Sequence, residues 1–390
     1  MAGININIFY GLSKSIGVML VASIFVTCFS CKQEKSIEFD RTELLVKFRT
    51  DTSDNSPLFA LNTYVTGDTA YISYVNHQTH SLHISDFKRP NKDPVIIKLV
   101  DTLLALDLYG RITSTSLSNN RLAFFQKKRF GIYNLKNNKI EYSRSTVGSD
   151  TLPIFFVDYD LPIHYVDSTK EIYLQCIDHR SKDKKYTFDH RFHFKLNWET
   201  GEWSIFPLVY PSSWGNGELG FSAFTKCSFK GDSVIYSFSN EDYLVILNRK
   251  NLMVERINAR SRFHENIIPL EKGVERNFDN KLSQNVTSFK YLAILYDKWK
   301  NCYYRVYNKS QSLMNKEGFF NTGLDLSYGV LVLDSNLSVI GELEIPDKMP
   351  STFGVSSYGL TYLIPNTLRQ DLDSTKRHNN LLYVALDIKL

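Results

Sequence analysis

Cysteine is scarce in this chain, with five residues in 390. A disulfide scaffold needs pairs at short spacing, so a packed core must hold the fold. Long runs of like charge are also missing: the formal net charge is +5 and the longest stretch of consecutive Lys and Arg is Lys127-Lys128-Arg129. Nucleic-acid binding therefore has no electrostatic footprint. The zinc-protease HExxH, the P-loop, the EF-hand loop and the serine-nucleophile elbow are all absent, which excludes the chemistries that announce themselves by local spacing and leaves only a dispersed triad. Amphipathic helical periodicity is nearly absent from the whole chain, which excludes a helical bundle.

Apolar residues make up 43% and aromatics 14%, ample for a large core. The N-terminus is a separate matter. Lys14 precedes the apolar stretch 15–31, no acid occurs before Glu34, and polar Lys32–Ser36 follows at once. This is the pattern of a secretory signal, and the stretch is too short for a comfortable membrane span. The residues Cys28-Phe29-Ser30-Cys31 resemble the relaxed lipobox of Bacteroidetes lipoproteins, in which a small residue precedes the lipidated cysteine. On that resemblance Cys31 carries the lipid; the alternative is an ordinary signal cut near Ser30. The expected organisation is a signal peptide over 1–30, a tether over 31–36 and a single domain over 37–390. Removing residues 1–30 takes away one lysine and no acid, lowering the formal charge from +5 to +4.

From Ser36 onward, short β-rich runs alternate with turn clusters, the mark of an all-β chain. One phrase recurs: an apolar strand ending in Asp or Asn, a tight polar turn, and a return strand. It begins at Leu82, Gly131, Phe192, Tyr243, Gly329 and Leu382, at intervals of 49, 61, 51, 86 and 53 residues. Periods near fifty with hairpins inside them predict β-propeller blades of four antiparallel strands. Further strands are expected ahead of the phrases, at 69–75, 121–126, 171–178, 233–238 and 303–307. Several are apolar on both alternating faces, which suits a strand covered on both sides. The last phrase has no return strand, and an open edge is a liability, so Ile37–Phe48 is expected to supply it from the other terminus. The expectation is a six-bladed β-propeller closed by its terminal strands. The alternative is seven blades, and two insertions within the 86-residue interval, at 263–278 and 309–318, account for its excess.

The lipobox-like Cys31, the blade phrases and Tyr296–Tyr307 (YDKWKNCYYRVY) together resemble a group of Bacteroidetes lipoproteins carrying a six-bladed propeller related in shape to the TolB and NHL-type propellers. The resemblance implies a fold and an address in the cell envelope, lipid-anchored to the outer membrane on its periplasmic or outer side. It implies no particular activity.

Among local constellations, Gly215–Gly220 matches the dinucleotide fingerprint by letter, but lacks the strand before it and the helix after it that would hold a pyrophosphate. It is read as a glycine-rich loop. His77, His80 and His83 recur at spacing three, which on a strand leaves only His77 and His83 on one side. His190 and His193 fall on opposite sides of a strand, so no metal site is predicted. Asp158 and Asp160 lie two apart and point the same way on an extended segment, as a carboxylate pair for hydrolysis or cation binding would. Trp214, Trp299 and the trio Tyr303, Tyr304 and Arg305 combine flat rings with a cationic fork, the residue types favoured at interfaces. Blade packing is the competing use of those tyrosines. Cys176, Cys227 and Cys302 are expected as buried thiols, one disulfide among them being the alternative.

The chain is therefore read as a membrane-anchored propeller that binds a protein or glycan partner, with Trp214, Tyr303, Tyr304, Arg305, Asp158 and Asp160 as candidate contact residues and no cofactor. The competing reading is a glycan hydrolase or lyase with ionisable groups converging at the channel mouth.

Overall fold

A computed structural model describes residues 37–47, 62–66, 68–76, 81–98, 112–117, 121–126, 129–134, 137, 139–145, 164–166, 168–177, 191–206, 225–266, 277–323, 325–365 and 380–390. The proposed signal and Cys31 lie outside them, as do His77, His80, Asp158, Asp160, His190, Trp214 and the Gly215–Gly220 loop.

Strand β1 (Phe39–Lys47) leads the described chain. A first meander follows: β2 (Asn62–Thr66), β3 (Thr69–Asn76), β4 (Ser81–Asp86) and β5 (Val95–Lys98). The second comprises β6 (Ile112–Leu117), β7 (Arg121–Gln126), β8 (Arg129–Asn134) and β9 (Lys139–Ser145). The third has β10 (His164–Val166), β11 (Glu171–Ile177), β12 (Arg191–Asn197) and β13 (Trp203–Phe206). In the fourth are β14 (Thr225–Lys230), β15 (Ser233–Phe238), β16 (Tyr243–Asn248) and β17 (Val254–Asn258), and a helix, α1 (Phe278–Thr287), leads to the fifth. That sheet holds β18 (Lys290–Asp297), β19 (Cys302–Asn308), β20 (Tyr328–Leu333) and β21 (Val339–Ile345). The last contributes β22 (Ser351–Ser356), β23 (Gly359–Ile364) and β24 (Asn380–Ile388), and β1 completes it in the order β1-β24-β23-β22.

The described strands thus form six four-stranded antiparallel sheets. Every recurring phrase falls on the third strand of a sheet. The edge left by the sixth phrase is covered by the N-terminal strand, with Phe39 opposite Ile388 and Lys47 opposite Asn380. No seventh sheet exists among the described residues, which removes the seven-blade alternative. The long interval before β20 holds α1 and the loop 309–327 instead.

The sheets follow one another in a ring, which makes the fold a β-propeller. β2 touches β6. The Arg121 guanidinium lies 5.4 Å over the Trp198 ring, joining the second sheet to the third. His164 stacks on Phe229 at 4.6 Å, joining the third to the fourth. The fifth sheet shows why β19 is buried at every position. Cys302, Tyr304 and Val306 of β19 pack with Val355, Leu360, Tyr362 and Val384 of the last sheet. The alternate residue Tyr303 packs with Ile235, Leu244 and Ala259 on the fourth-sheet side. The last sheet closes the ring by packing Leu381, Tyr383 and Ala385 on Ala70, Ile72 and Phe87. A Cβ on Gly354 of β22 would come within 2.6 Å of the Thr63 hydroxyl of β2, so a side chain there would force these first strands apart.

The repeated Asp or Asn has a mechanical cause. Where the third strand turns into the fourth, its side-chain oxygen accepts from backbone N–H groups that the ladder no longer serves. Asp86 takes Lys88 N (2.7 Å), Asn134 takes Asn137 N (3.3 Å), and Asn197 takes Glu199 N and Thr200 N (both 3.0 Å). Asn248 takes Lys250 N (2.9 Å) and Asn251 N (3.3 Å), and Asp334 takes Asn336 N (2.8 Å) and Ser338 N (2.9 Å). The sixth copy, Asp387, ends a strand with no return turn and accepts instead from Lys300 of the fifth sheet and from Lys389 (2.8 Å).

Candidate functional site

This topology gives the molecule two ends. Turns between first and second and between third and fourth strands gather at one, the turn end. The second-to-third connections and the links between sheets gather at the other, the linker end. The linker end carries the longest departures from the repeat, and both belong to the fifth sheet: the link 259–289 and the loop 309–327.

The link is fixed by buried polar groups. Ser261 Oγ donates to Glu342 Oε1, Arg262 N donates to Glu342 Oε2 (3.2 Å), and the Arg262 guanidinium lies 3.6 Å from the same oxygen. The Glu342 side chain is only 2% exposed, so these contacts replace its water. Ser261 N donates to the Tyr291 hydroxyl at 2.8 Å. His264 stacks on Tyr291 and meets Phe289 edge-on, and burial lowers its pKa. Tyr307 completes the group, its phenol pushed up by burial and by Glu342. Gly329 is needed opposite it, because a Cβ there would collide with the Tyr307 hydroxyl.

Two of these strands also bury cations. Arg305 is fully buried, with its guanidinium 3.3 Å over the Tyr291 ring. It donates to Ser237 Oγ (2.9 Å), Ala259 O (2.7 Å) and Glu241 O (2.7 Å), so its partners are all on the fourth sheet or the link that leaves it. Burial lowers its pKa to about 10. Lys290 donates to the carbonyl (2.8 Å) and side chain of Asn285 in the last turn of α1, where a cation meets the negative end of the helix dipole, and burial lowers its pKa to about 8.

The expected contact trio is therefore corrected. Tyr303, Tyr304 and Arg305 are 1%, 0% and 0% exposed, and a ring with no exposed surface cannot stack on a ligand. Tyr304 donates to Asp297 Oδ2 (2.8 Å), while Asp297 Oδ1 caps the β18–β19 turn through Trp299 N (2.9 Å) and Lys300 N (3.1 Å). Trp299 is partly buried against the same core. Blade packing accounts for the whole segment. His83 is likewise buried, with Nε2 2.9 Å from Ser81 Oγ. Cys227 and Cys302 are buried and lie in no disulfide, and burial pushes the Cys302 thiol up to about 11. No group of three metal-ligating side chains occurs among the described residues.

Among the described residues, the linker end exposes a group of large apolar side chains. In the loop 309–327, Phe319 and Phe320 are 68% and 66% exposed, and Met314 is 48% exposed. The loop is a braced hairpin. Asn315 N donates to Phe319 O (2.8 Å), while Asn315 Oδ1 accepts from Glu317 N (3.0 Å) and Phe319 N (2.9 Å). Asn321 ties back to Leu313 O and Ser312 O (2.8 and 2.7 Å). Gln311 anchors the base to Asp325 O (2.6 Å) and, through its own N–H, to Val286 O of α1 (3.2 Å). Leu282 of α1 adds a fourth exposed apolar side chain at this end. Sequence reading located this loop as an insertion and passed over its phenylalanines; the signal was Phe319-Phe320 beside Gly318, flanked by polar residues. Elsewhere, an open depression on the third sheet is lined by Glu171, Lys195, Glu202 and Trp203. Its Glu171 is occupied by Lys195 (3.0 Å) and the Tyr173 hydroxyl (2.7 Å).

Comparison with known proteins supports the architecture. A structure of a DUF4221 family member from Bacteroides vulgatus is similar, with a TM-score of 0.66 and 17% identity over 92% of this chain and 99% of that one. A Bacteroides fragilis structure named as an exported protein shares a TM-score of 0.50 and 9% identity over 93% of this chain and 98% of that one. No curated protein matches the chain. No helix among the described residues is long and apolar enough to cross a membrane. The model of the domain of unknown function DUF4221 matches residues 109–344, spanning the second to fifth sheets and more than half of the sequence, and the chain belongs to that family.

Proposed function

We propose that this protein is an exported, lipid-anchored propeller of six blades, one per sheet, that serves as a binding module for a protein partner engaged through the 309–327 hairpin. The observation that carries the reading is the braced display of Phe319 and Phe320 in water. Two large rings at a fixed tip lose little conformational freedom on binding and bury much apolar area, the profile of an interface hot spot. The buried ionisable groups of the fifth sheet favour the same reading over hydrolysis, since Glu342, Arg305 and Lys290 each use their polar contacts to join elements of the fold. An anchor at Cys31 suits a module that holds a partner at the envelope.

Pull-down from native envelope with the full chain and with a Phe319→Ser/Phe320→Ser variant tests the binding reading. A protein captured by the first and lost by the second, at equal thermal stability, is the expected result. An unchanged set of captured proteins, or capture of glycan alone, overturns it. The anchor has its own test, because Cys31→Ala should move the chain to the soluble periplasmic fraction; a variant that stays with the membrane removes the lipid.

A further inference from the structure

Most of the large apolar side chains exposed among the described residues, outside the four at the linker end, gather at the turn end: Val95, Leu252, Met253, Val339, Tyr358 and Leu390 are 57%, 55%, 69%, 40%, 37% and 64% exposed. They come from five turns or strand ends on four sheets, so no single local sequence accident produces them. One of them is held against its backbone preference. Leu252 sits at φ +58 in the β16–β17 turn, with its N–H bonded to Asn248 O at 2.9 Å. In the matching turn of the third sheet the position is Gly201, at φ +75, bonded to Asn197 O at 2.8 Å. A left-handed leucine is disfavoured where glycine is free. Leu337, also left-handed at φ +66, is 4% exposed and gains burial in return. Leu252 has no such return within the fold.

The start of β1 and the last residues of β24 lie at this same end. Lys389 N donates to Glu38 O at 2.9 Å, placing the start of β1 beside the C-terminus. Five residues separate Cys31 from Ile37, six steps of chain with a reach of about 20 Å when extended. Basic side chains stand among the apolar ones and pair with carboxylates there: Lys250 with Asp232 (2.8 Å), Arg89 with Asp86 (2.9 Å) and Lys389 with Asp40 (2.8 Å). We propose that the turn end docks on a lipid bilayer, with Leu252 and Met253 entering the headgroup region and the neighbouring lysines and arginines at its surface. The inference rests on the anchored reading for its geometry. It turns the linker end, and with it Phe319 and Phe320, away from the membrane toward a partner.

The test uses the full lipidated chain on vesicles of phosphatidylethanolamine and phosphatidylglycerol, with an environment-sensitive fluorophore on Met253→Cys and, in a second preparation, on Phe319→Cys. Both positions are largely exposed, so neither substitution threatens the fold. The expected result is a blue shift and gain in emission at 253 and none at 319. Flotation reports the anchor and the dye reports the face, so the two failures separate. A chain that floats while the dye at 253 remains in water overturns the docking and leaves the anchor standing. A chain that fails to float by itself but shifts at 253 when vesicles are added keeps the docking and removes the anchor. A chain that does neither overturns both.

Discussion

The two ends of the propeller solve the same problem by different means. At the turn end each third strand finishes in Asp or Asn, and in five sheets that side chain caps the next turn with two or three atoms of reach. The solution is local, repeated and cheap to read. At the linker end of the fifth sheet no repeated residue does this work. The link after β17 is held by groups remote in sequence, Ser261 by Glu342 and Ala259 by Arg305. Repetition belongs where every blade needs the same hairpin, and singular contacts belong where one blade departs from its neighbours. Departure is also where a braced apolar hairpin stands in water.

Substitution at Arg305 should break this comparison most severely. Its guanidinium serves carbonyls on the fourth sheet and the link, and Arg305→Ala leaves them buried without donors. A loss of about 3–5 kcal/mol is expected, read as a fall in the denaturation midpoint. Arg305→Met, which restores apolar volume without donors, should recover only part. A loss below about 1 kcal/mol for the alanine variant would show that the singular contacts of this link are dispensable.

Acid probes an inter-sheet contact nearer the turn end. Burial, and then the charge of Arg249, lowers the His164 pKa from 6.5 to about 4 where the ring stacks on Phe229. The unfolded imidazole takes a proton that the folded one refuses. Its neutral form therefore supports the fold fully above pH 6.5, and that support is lost as pH falls toward about 4, by at most about 3 kcal/mol. His164→Phe should flatten the drop in melting temperature between pH 7 and pH 4.5. An equal drop in both proteins would assign the acid sensitivity elsewhere.

A cap at the turn end should matter less than either. Asn248→Ala removes two short-range acceptor contacts from one exposed hairpin, and about 1 kcal/mol is the expected cost. The equivalent change at Asn197 should cost at least as much, since it removes the same two acceptor contacts and also the bond from Asn197 Nδ2 to Thr169 O (3.1 Å). A smaller loss at Asn197 would mean that the phrase is a repeated spelling without a repeated function.

How much was legible follows the same division. Third strands, return strands and the terminal closure could be read because Asp and Asn mark strand ends at a period near fifty residues. The first strands were harder: Lys290–Asp297 forms the first strand of the fifth sheet and pairs with Cys302–Asn308, yet its boundary carries no repeated residue. Tyr303, Tyr304 and Arg305 misled for a physical reason. A tyrosine pair with arginine is the composition of an interface, and a strand wedged between two blades is an interface turned inward, with Tyr304 facing one sheet and Arg305 the other. Nothing in sequence distinguishes a cation that meets solvent from one that meets five oxygen atoms of a neighbouring sheet and its link.

The smallest expected effect has the opposite sign. Leu252 occupies a left-handed backbone position that Gly201 occupies in the third sheet, and more than half of its surface is in water. Leu252→Gly relieves the Cβ conflict but gives the unfolded chain more freedom, so the two terms partly cancel and a gain of about 0.5–1 kcal/mol is expected. Leu337→Gly shares the backbone term but empties a buried site, and should destabilise by about 2 kcal/mol or more. Chemical denaturation of the two variants separates them by sign. If Leu252→Gly instead lowers stability, the exposed leucine serves the fold after all, and the turn end loses the residue that most sets it apart from a plain ring of hairpins.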